Sequence, residues 1–308
     1  TPKPSSAASD VYKRQGLDIA RSLAIIGMII LHMANLVWST KVVLSGLPAA
    51  GFVIIAGTTM MILARDYSLR VFLKLVARGL IVMLIGVALL PVGGEIQVVL
   101  VVMGAAMALT AWVPPLATGW KVLLFALATA GATVFYAPYT LPQVYPFVAF
   151  LAYIVAGMLL YDVYLTRPTR THTITTAVAA VVTGIGLWQR FNPDIPGWLR
   201  FTGHTGVLGE ILLSVAVTAV VLHLCLIIGR QLPRLVFPFA ALGSMSLTIY
   251  ILHILTARYW QANVSLHNTM AAAGFVLAFL VLSALWKKFF EKGPAERAVA
   301  WAIKEVAA

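Results

Sequence analysis

Long apolar stretches, each about the length of a bilayer-crossing helix, follow one another almost without interruption along this chain. Breakers and short polar connectors divide them into ten segments: 17–38, 43–64, 71–90, 96–113, 121–137, 144–161, 172–188, 207–229, 236–255 and 270–290. A hydrocarbon core about 30 Å thick needs about 20 apolar residues per helix, and most of these segments meet that length. Pro91 with Gly93-Gly94, Pro114-Pro115 and Pro138 punctuate the first half, as expected of residues that cannot continue a helix. Gly46, Gly51 and Gly57 mark the second segment as one that neighbouring helices approach closely. The pattern predicts an all-α polytopic membrane protein of about ten transmembrane helices. Residues 1–15 are polar and expected to be a non-native or disordered leader; SSAASDVYKRQ resembles translated adapter sequence. The embedded domain is expected over 16–292. The tail, 293–308, opens with Gly293-Pro294 and reads as an amphipathic helix on the membrane surface.

The first segment departs from a plain lipid-facing helix. It carries Asp18, Arg21, His32 and Asn35 within GLDIARSLAIIGMIILHMANLVW. A charge at the middle of a bilayer costs roughly 2.5–3.5 kcal/mol on insertion scales, so such residues face protein or a watery cavity. At about 100° per residue, Arg21 and His32 lie about 20° apart around the axis, with Asp18 about 60° from Arg21. A rise of about 1.5 Å per residue separates Arg21 from His32 by roughly 16 Å along that seam.

Composition agrees with the pattern. The chain of 308 residues is 61% hydrophobic and 10% charged, with mean hydropathy +0.95. A soluble domain is about 45–50% apolar and about 25% charged. The net charge of +12 sits in short loops, where it sets orientation and meets anionic lipid; nucleic acid is not an expected partner. With the N-terminus inside, the inner loops and tail hold Arg65, Arg70, Lys74, Arg78, Lys121, Arg167, Arg170, Arg230, Arg234, Lys287, Lys288, Lys292, Arg297 and Lys304. The outer loops hold Lys41, Arg190, Arg200 and Arg258. The bias predicts that both termini are cytoplasmic. The expected location is the bacterial cytoplasmic (inner) membrane. The single cysteine, Cys225, excludes an intrachain disulfide and is expected to be packed.

Candidate chemistry lies at two levels. Asp18 and Arg21 fall near the cytoplasmic surface, as a self-contained ion pair or as a site for an anionic donor. His32, His204 and His253 fall towards the other side, together with Glu210 and Arg258. A histidine moves protons near neutral pH, and a nearby carboxylate can orient it. His223 reads as structural, and His172 and His267 as solvated. No metal site is expected from the His and Cys spacing, and the chain has no P-loop, GxSxG or HExxH motif.

LDIARSLAIIGMIILHM resembles the opening LDxxRG…H pattern of the transmembrane acyl transferase superfamily, which includes the heparan-alpha-glucosaminide N-acetyltransferase catalytic-domain family. LPAAGFVIIAGTTMMIL, the loop and span RFTGHTGVLGEILLSVAVTAVVLHLCLII, GSMSLTIYILHIL and EKGPAERAVAWAI resemble later family segments in the same order. Together they cover roughly a third of the chain. The resemblance implies acyl-CoA, acetyl-CoA in the first instance, bound from the cytoplasm as co-substrate. It implies transfer to a hydroxyl or amine of a glycan or lipid-linked acceptor on the far side. Asp18, Arg21 and His32 match the first motif, His204 and Glu210 the loop motif, and Ser246, Thr248, Tyr250 and His253 the late motif. On this basis Arg21 and Asp18 are expected to bind the donor, and His32, His204, Glu210 and His253 to serve catalysis. Ser22 stands where the family has Gly, and no His lies between Ser39 and Leu47, so catalysis rests on His32 or His204. A transporter lined by Asp18, Arg21 and His32, and a non-catalytic envelope-assembly protein, are the competing expectations. A homo-oligomer is an open expectation.

Overall fold

The computed structural model describes residues 6–138, 145–264 and 267–306. Helix α1 (Ser6–Met33) is followed by α2 (Trp38–Leu44), α3 (Leu47–Leu63), α4 (Leu69–Leu89), α5 (Leu100–Leu109), α6 (Thr118–Tyr136) and α7 (Phe147–Tyr161). Then come α8 (Thr169–Gln189), α9 (Leu208–Gln231), α10 (Phe237–Ser244), α11 (Ser246–Asn263), α12 (Thr269–Phe289) and α13 (Pro294–Val306). No strand occurs among the described residues. Among the described residues eight helical segments are long and apolar enough to cross a membrane, or nine if α10 and α11, bent by 83° at Met245, form one broken span. The protein is an integral membrane protein.

The expected spans recur in order, with corrections. The fourth, expected over 96–113, is α5, a helix of ten residues and about 15 Å. That length falls short of a full crossing. Even so, the ends of its segment are tied to opposite faces. The Tyr145 hydroxyl donates to the Gln97 carbonyl at 2.9 Å on one, and the Tyr67 hydroxyl donates to the Ala111 carbonyl at 3.0 Å on the other. The second segment begins as a separate short helix, α2, because Gly46 turns the chain with φ +75° before α3. Residues 6–15, read from sequence as a leader, continue α1. Lys13 Nζ donates to the Leu165 carbonyl at 3.0 Å and Gln15 Nε2 to the Pro233 carbonyl at 2.9 Å. Residues 139–144, 265–266 and 307–308, the ends of the expected sixth span and of the tail among them, lie outside the described residues.

Contacts between helix ends sort the bundle into two faces. On one face α1 begins where α7 and α9 end, α6 begins beside the end of α7, and Lys287 of α12 joins Arg14 and Asp18 around a recess. The start of α1 and α13 share this face, which also carries most of the loop Lys and Arg; it is the basic face. On the opposite face the end of α1 meets the start of α12: the Asn268 N–H donates to the Met33 carbonyl at 2.6 Å, and the Asn35 N–H to Thr269 Oγ1 at 3.1 Å.

The centre is α3 and α7, whose apolar residues are buried almost all round, as for helices enclosed by other helices; α1 and α9 flank them and expose only part of one side, with Leu23 on α1 and Leu212, Leu224, Ile227 and Ile228 on α9 turned outward. In contrast α6, α8 and α12 bury one narrow stripe and turn Leu127, Val178 and Leu277 outward to lipid. Helices in lipid gain little from apolar burial against one another, so close backbone approach holds the centre. At the α3–α7 crossing a Cβ on Gly57 would lie 2.1 Å from the Ile154 carbonyl oxygen, and one on Gly157 would lie 1.8 Å from that of Ile54. The Thr58 hydroxyl donates to the Gly157 carbonyl there at 2.8 Å. Gly243 of α10 meets the backbone of Asp18 as closely, which brings the α10–α11 break against the charged end of α1.

Candidate functional site

A cavity of about 270 Å³ opens among α1, α3, α4, α5, the α10–α11 break and α13. Its polar wall is Arg21, Thr59, Arg78, Ser244, Ser246, Lys292 and Glu296. Its deeper wall is apolar: Phe52, Ala56, Met60, Leu100, Met103 and Met107. Arg21 is held between two partners. It is ion-paired with Asp18 one helical turn back, and its Nη2 donates to Thr59 Oγ1 at 2.7 Å. The Thr59 hydroxyl donates its own hydrogen bond to the Ile55 carbonyl at 2.8 Å, which leaves its oxygen free to accept from Arg21. Arg78 sits in the third turn of α4, close enough to feel the charges of Arg21 and Glu296. Asp18 lines a neighbouring recess with Arg14, Arg234 and Lys287, and Ser244 stands in both walls.

The second centre lies further along α1. His32 Nδ1 and His253 Nε2 are 3.1 Å apart and share a hydrogen bond, one nitrogen donating and the other accepting. The two rings are parallel within 3°, with centroids 5.4 Å apart. His253 is fully buried in α11, and its Nδ1 has no hydrogen-bond partner among the described residues. Tyr250 and His253 meet in a T-shaped arrangement with ring centroids 6.5 Å apart, and Phe52 stacks on Tyr250 at 6.3 Å. The Tyr250 hydroxyl oxygen accepts the Val99 N–H at 3.1 Å, just before α5. Phe52 lines the cavity, and one aromatic ring, Tyr250, stands between it and His253 of the histidine pair.

His204 sits on the opposite-face loop with φ +66°, in the left-handed region that non-glycine residues rarely adopt. Glu210 holds it there. The buried carboxylate accepts backbone N–H groups of His204 at 2.7 Å, Thr205 at 2.8 Å and Gly206 at 2.6 Å, and the Thr205 hydroxyl at 3.1 Å. Glu210 therefore organises the loop backbone. The His204 ring packs edge-on against Tyr145 at 5.9 Å and lies within electrostatic reach of His32. Arg190 clamps the same region: its Nη1 donates to the carbonyls of Val42, Val43 and Ser45 at 2.7–2.9 Å. Burial draws the Arg190 guanidinium down to about 10, and Glu210 opposes that shift.

The structure thus joins His32 with His253 and places His204 with Glu210 beside them, while Arg21 faces a separate cavity and its partner Asp18 lines the recess next to it. Sequence reasoning missed Arg78 and Lys292. Arg78 was assigned to a basic loop; it lies two turns inside an apolar helix, and an arginine at that depth is itself a signal. His223 accepts or donates at Thr176 Oγ1 at 2.7 Å and stacks on Tyr164, while His172 bonds the Arg167 carbonyl at 2.8 Å. Cys225 is buried.

Residues 163–304 match a family described as a protein of unknown function (DUF418). The matched region runs from just before α8 into α13 and holds His204, Glu210, His253 and Glu296; α1, with Arg21 and His32, lies outside it. The chain matches no curated protein.

Proposed function

We propose that the protein is an acyl-CoA-dependent acyltransferase of the bacterial cytoplasmic membrane, with the basic face inside. The observation that carries the reading is the cavity: three basic side chains, Arg21, Arg78 and Lys292, stand in the wall of a pocket whose methionine-lined part includes Phe52, which stacks on Tyr250 beside the His32–His253 pair. Guanidinium groups match phosphate oxygens in a two-pronged geometry, and the apolar depth suits a long, thin thioester arm. Positive charge in the loops of the basic face supports its cytoplasmic placement.

In this scheme the acceptor, a glycan or lipid-linked sugar, approaches the histidine pair from the opposite face. His32 takes the proton from the acceptor hydroxyl or amine through its free ring nitrogen, and His253 accepts or returns the hydrogen on the shared bond. The acceptor oxygen or nitrogen bonds to the acyl carbon, the C–S bond breaks, and the proton leaves with the CoA thiolate. Glu210 acts by fixing the His204 loop. Tyr250 must swing or slide for the acyl end to pass, because it stands between Phe52 of the cavity wall and His253.

Titration of coenzyme A against the purified protein in nanodiscs tests the donor site. Arg21→Ala removes a charged hydrogen-bonding group, worth about 1.5–3 kcal/mol, and is expected to weaken binding at least tenfold. Equal binding by wild type, Arg21→Ala and Arg78→Ala overturns the assignment. Transport is a second reading, supported by the bent α10–α11 pair, since transporters build sites at broken helices. The break here lies against Asp18 at the basic end of α1. Uptake of labelled acyl-CoA or free sugar into sealed proteoliposomes, without acyl transfer, would favour transport.

A further inference from the structure

Helix α13 reaches the cavity through one carboxylate. Glu296 accepts the backbone N–H of Leu247 at 2.7 Å and of Thr248 at 3.2 Å, and the Thr248 hydroxyl at 2.6 Å. The Ala295 N–H donates to that same hydroxyl oxygen at 3.0 Å. These amides belong to the first turn of α11, which the break at Met245 leaves without helical acceptors, so they carry the positive end of the helix dipole. Glu296 thus fills, from another element, the place an anion takes at a helix start.

Two further observations make this more than a cap. Glu296 shares the cavity wall with Arg21, Arg78 and Lys292, so the carboxylate sits where three basic side chains also favour negative charge. The turn before it is built to fit: a Cβ on Gly293 would lie 2.3 Å from Glu296 Oε2 and 2.7 Å from Thr248 Oγ1. Beyond this polar contact, α13 is held by a short apolar strip against α4 and by Arg297 over the Phe290 ring. Among its described side chains only Val299 and Ile303 are buried, while Arg297, Trp301 and Lys304 are exposed.

We propose that α13 is a latch on the cavity, closed by Glu296 and opened by the anionic group of the ligand. A phosphate entering between Arg21 and Arg78 competes with the Glu296 carboxylate for the Leu247 and Thr248 amides. Displacing Glu296 removes a negative charge from the wall, which strengthens the hold of the basic side chains on the phosphate. Ligand binding and tail release are then linked, and each must favour the other by the same factor. This rests on reading the cavity as the donor's phosphate site.

The test uses the full chain in nanodiscs. Hydrogen exchange of residues 294–306 is followed against coenzyme A and, separately, inorganic pyrophosphate, in wild type, Glu296→Gln and Thr248→Val. Saturating coenzyme A is expected to speed exchange of these amides at least tenfold in wild type. Glu296→Gln is expected to bind coenzyme A about tenfold tighter, within the ordinary range of coupling between sites. Thr248→Val, which keeps the backbone amides and loses only the hydroxyl, is expected to shift both in the same direction by less. If coenzyme A binds while exchange of 294–306 stays constant or slows, the latch is overturned and the donor site stands. If coenzyme A binds neither wild type nor Glu296→Gln, the donor reading is overturned. In that event faster exchange with pyrophosphate supports an anion-opened latch, and unchanged exchange overturns it.

Discussion

A single methyl group placed at Gly157 probes what holds the centre of the bundle. The Cβ of an alanine there would lie 1.8 Å from the Ile54 carbonyl oxygen, 2.8 Å from its carbon and 2.9 Å from the Thr58 nitrogen, whereas ordinary contact begins at 3.4 Å. All three neighbours are backbone, so no side-chain rotation relieves the clash, and α3 and α7 must part by more than 1 Å. Overpacking of this kind costs about 1–3 kcal/mol. The hydrogen bond from Thr58 to the Gly157 carbonyl, 2.8 Å long, lies in the same crossing, and losing it adds about 0.5–1.5 kcal/mol. Higher helix propensity of alanine returns up to about 1 kcal/mol. The expected net loss is about 0.5–4.5 kcal/mol, from the same terms. Gly184→Ala is the matched control, because a Cβ there meets nothing within 4 Å on the outer side of α8. That variant is expected to be neutral or stabilised by up to about 1 kcal/mol. Reversible unfolding in mixed micelles, followed by helical circular dichroism, measures both. Equal stabilities for the two variants would refute the close-crossing account of the α3–α7 interface.

Two further outcomes follow from the polar groups. Glu210→Gln replaces a four-way acceptor by a carboxamide with one acceptor oxygen, so hydrogen exchange at His204, Thr205 and Gly206 should rise at least about tenfold, or 1.4 kcal/mol; unchanged exchange would mean the loop is held by other contacts. Lys121 is 3% exposed and paired at 3.1 Å with Asp162, which also accepts from the Thr118 hydroxyl at 3.0 Å. Lys121→Met leaves a carboxylate without its cation and should cost about 3–5 kcal/mol, while the Lys121→Met, Asp162→Leu double variant should recover much of that loss in the same unfolding assay.

The helical plan was legible because hydrophobic length and breakers are local signals. The polar seam of α1 was legible for the same reason: a period of 3.6 residues places Arg21 and His32 on one side, and both point into the protein. What pairs with them was not legible. His253 is 221 positions from His32 in sequence, and their contact depends on how α11 leaves the break. The break itself carries no proline; GSMS bends because Gly243 docks on Asp18 and Glu296 takes over the freed amides. The tail was expected to lie on the membrane surface. In the structure Glu296 and Val299 are drawn into the cavity wall, a tertiary arrangement that amphipathic periodicity does not encode. Glu210 was expected to help a histidine chemically; a carboxylate shows no preference for a ring over backbone N–H groups until the loop geometry is known.

The central claim is that an acyl group passes from a donor in the basic cavity to an acceptor beside the histidine pair. Purified protein in nanodiscs made from bacterial envelope lipid, supplied with radiolabelled acetyl-CoA, tests it most directly. Wild type is expected to move label to a lipid-soluble or glycan acceptor. His32→Ala and His253→Ala are each expected to lower the rate by about 10²–10⁴, the usual contribution of a positioned acid–base group. Absence of transfer by wild type, or equal transfer by all three proteins, contradicts it.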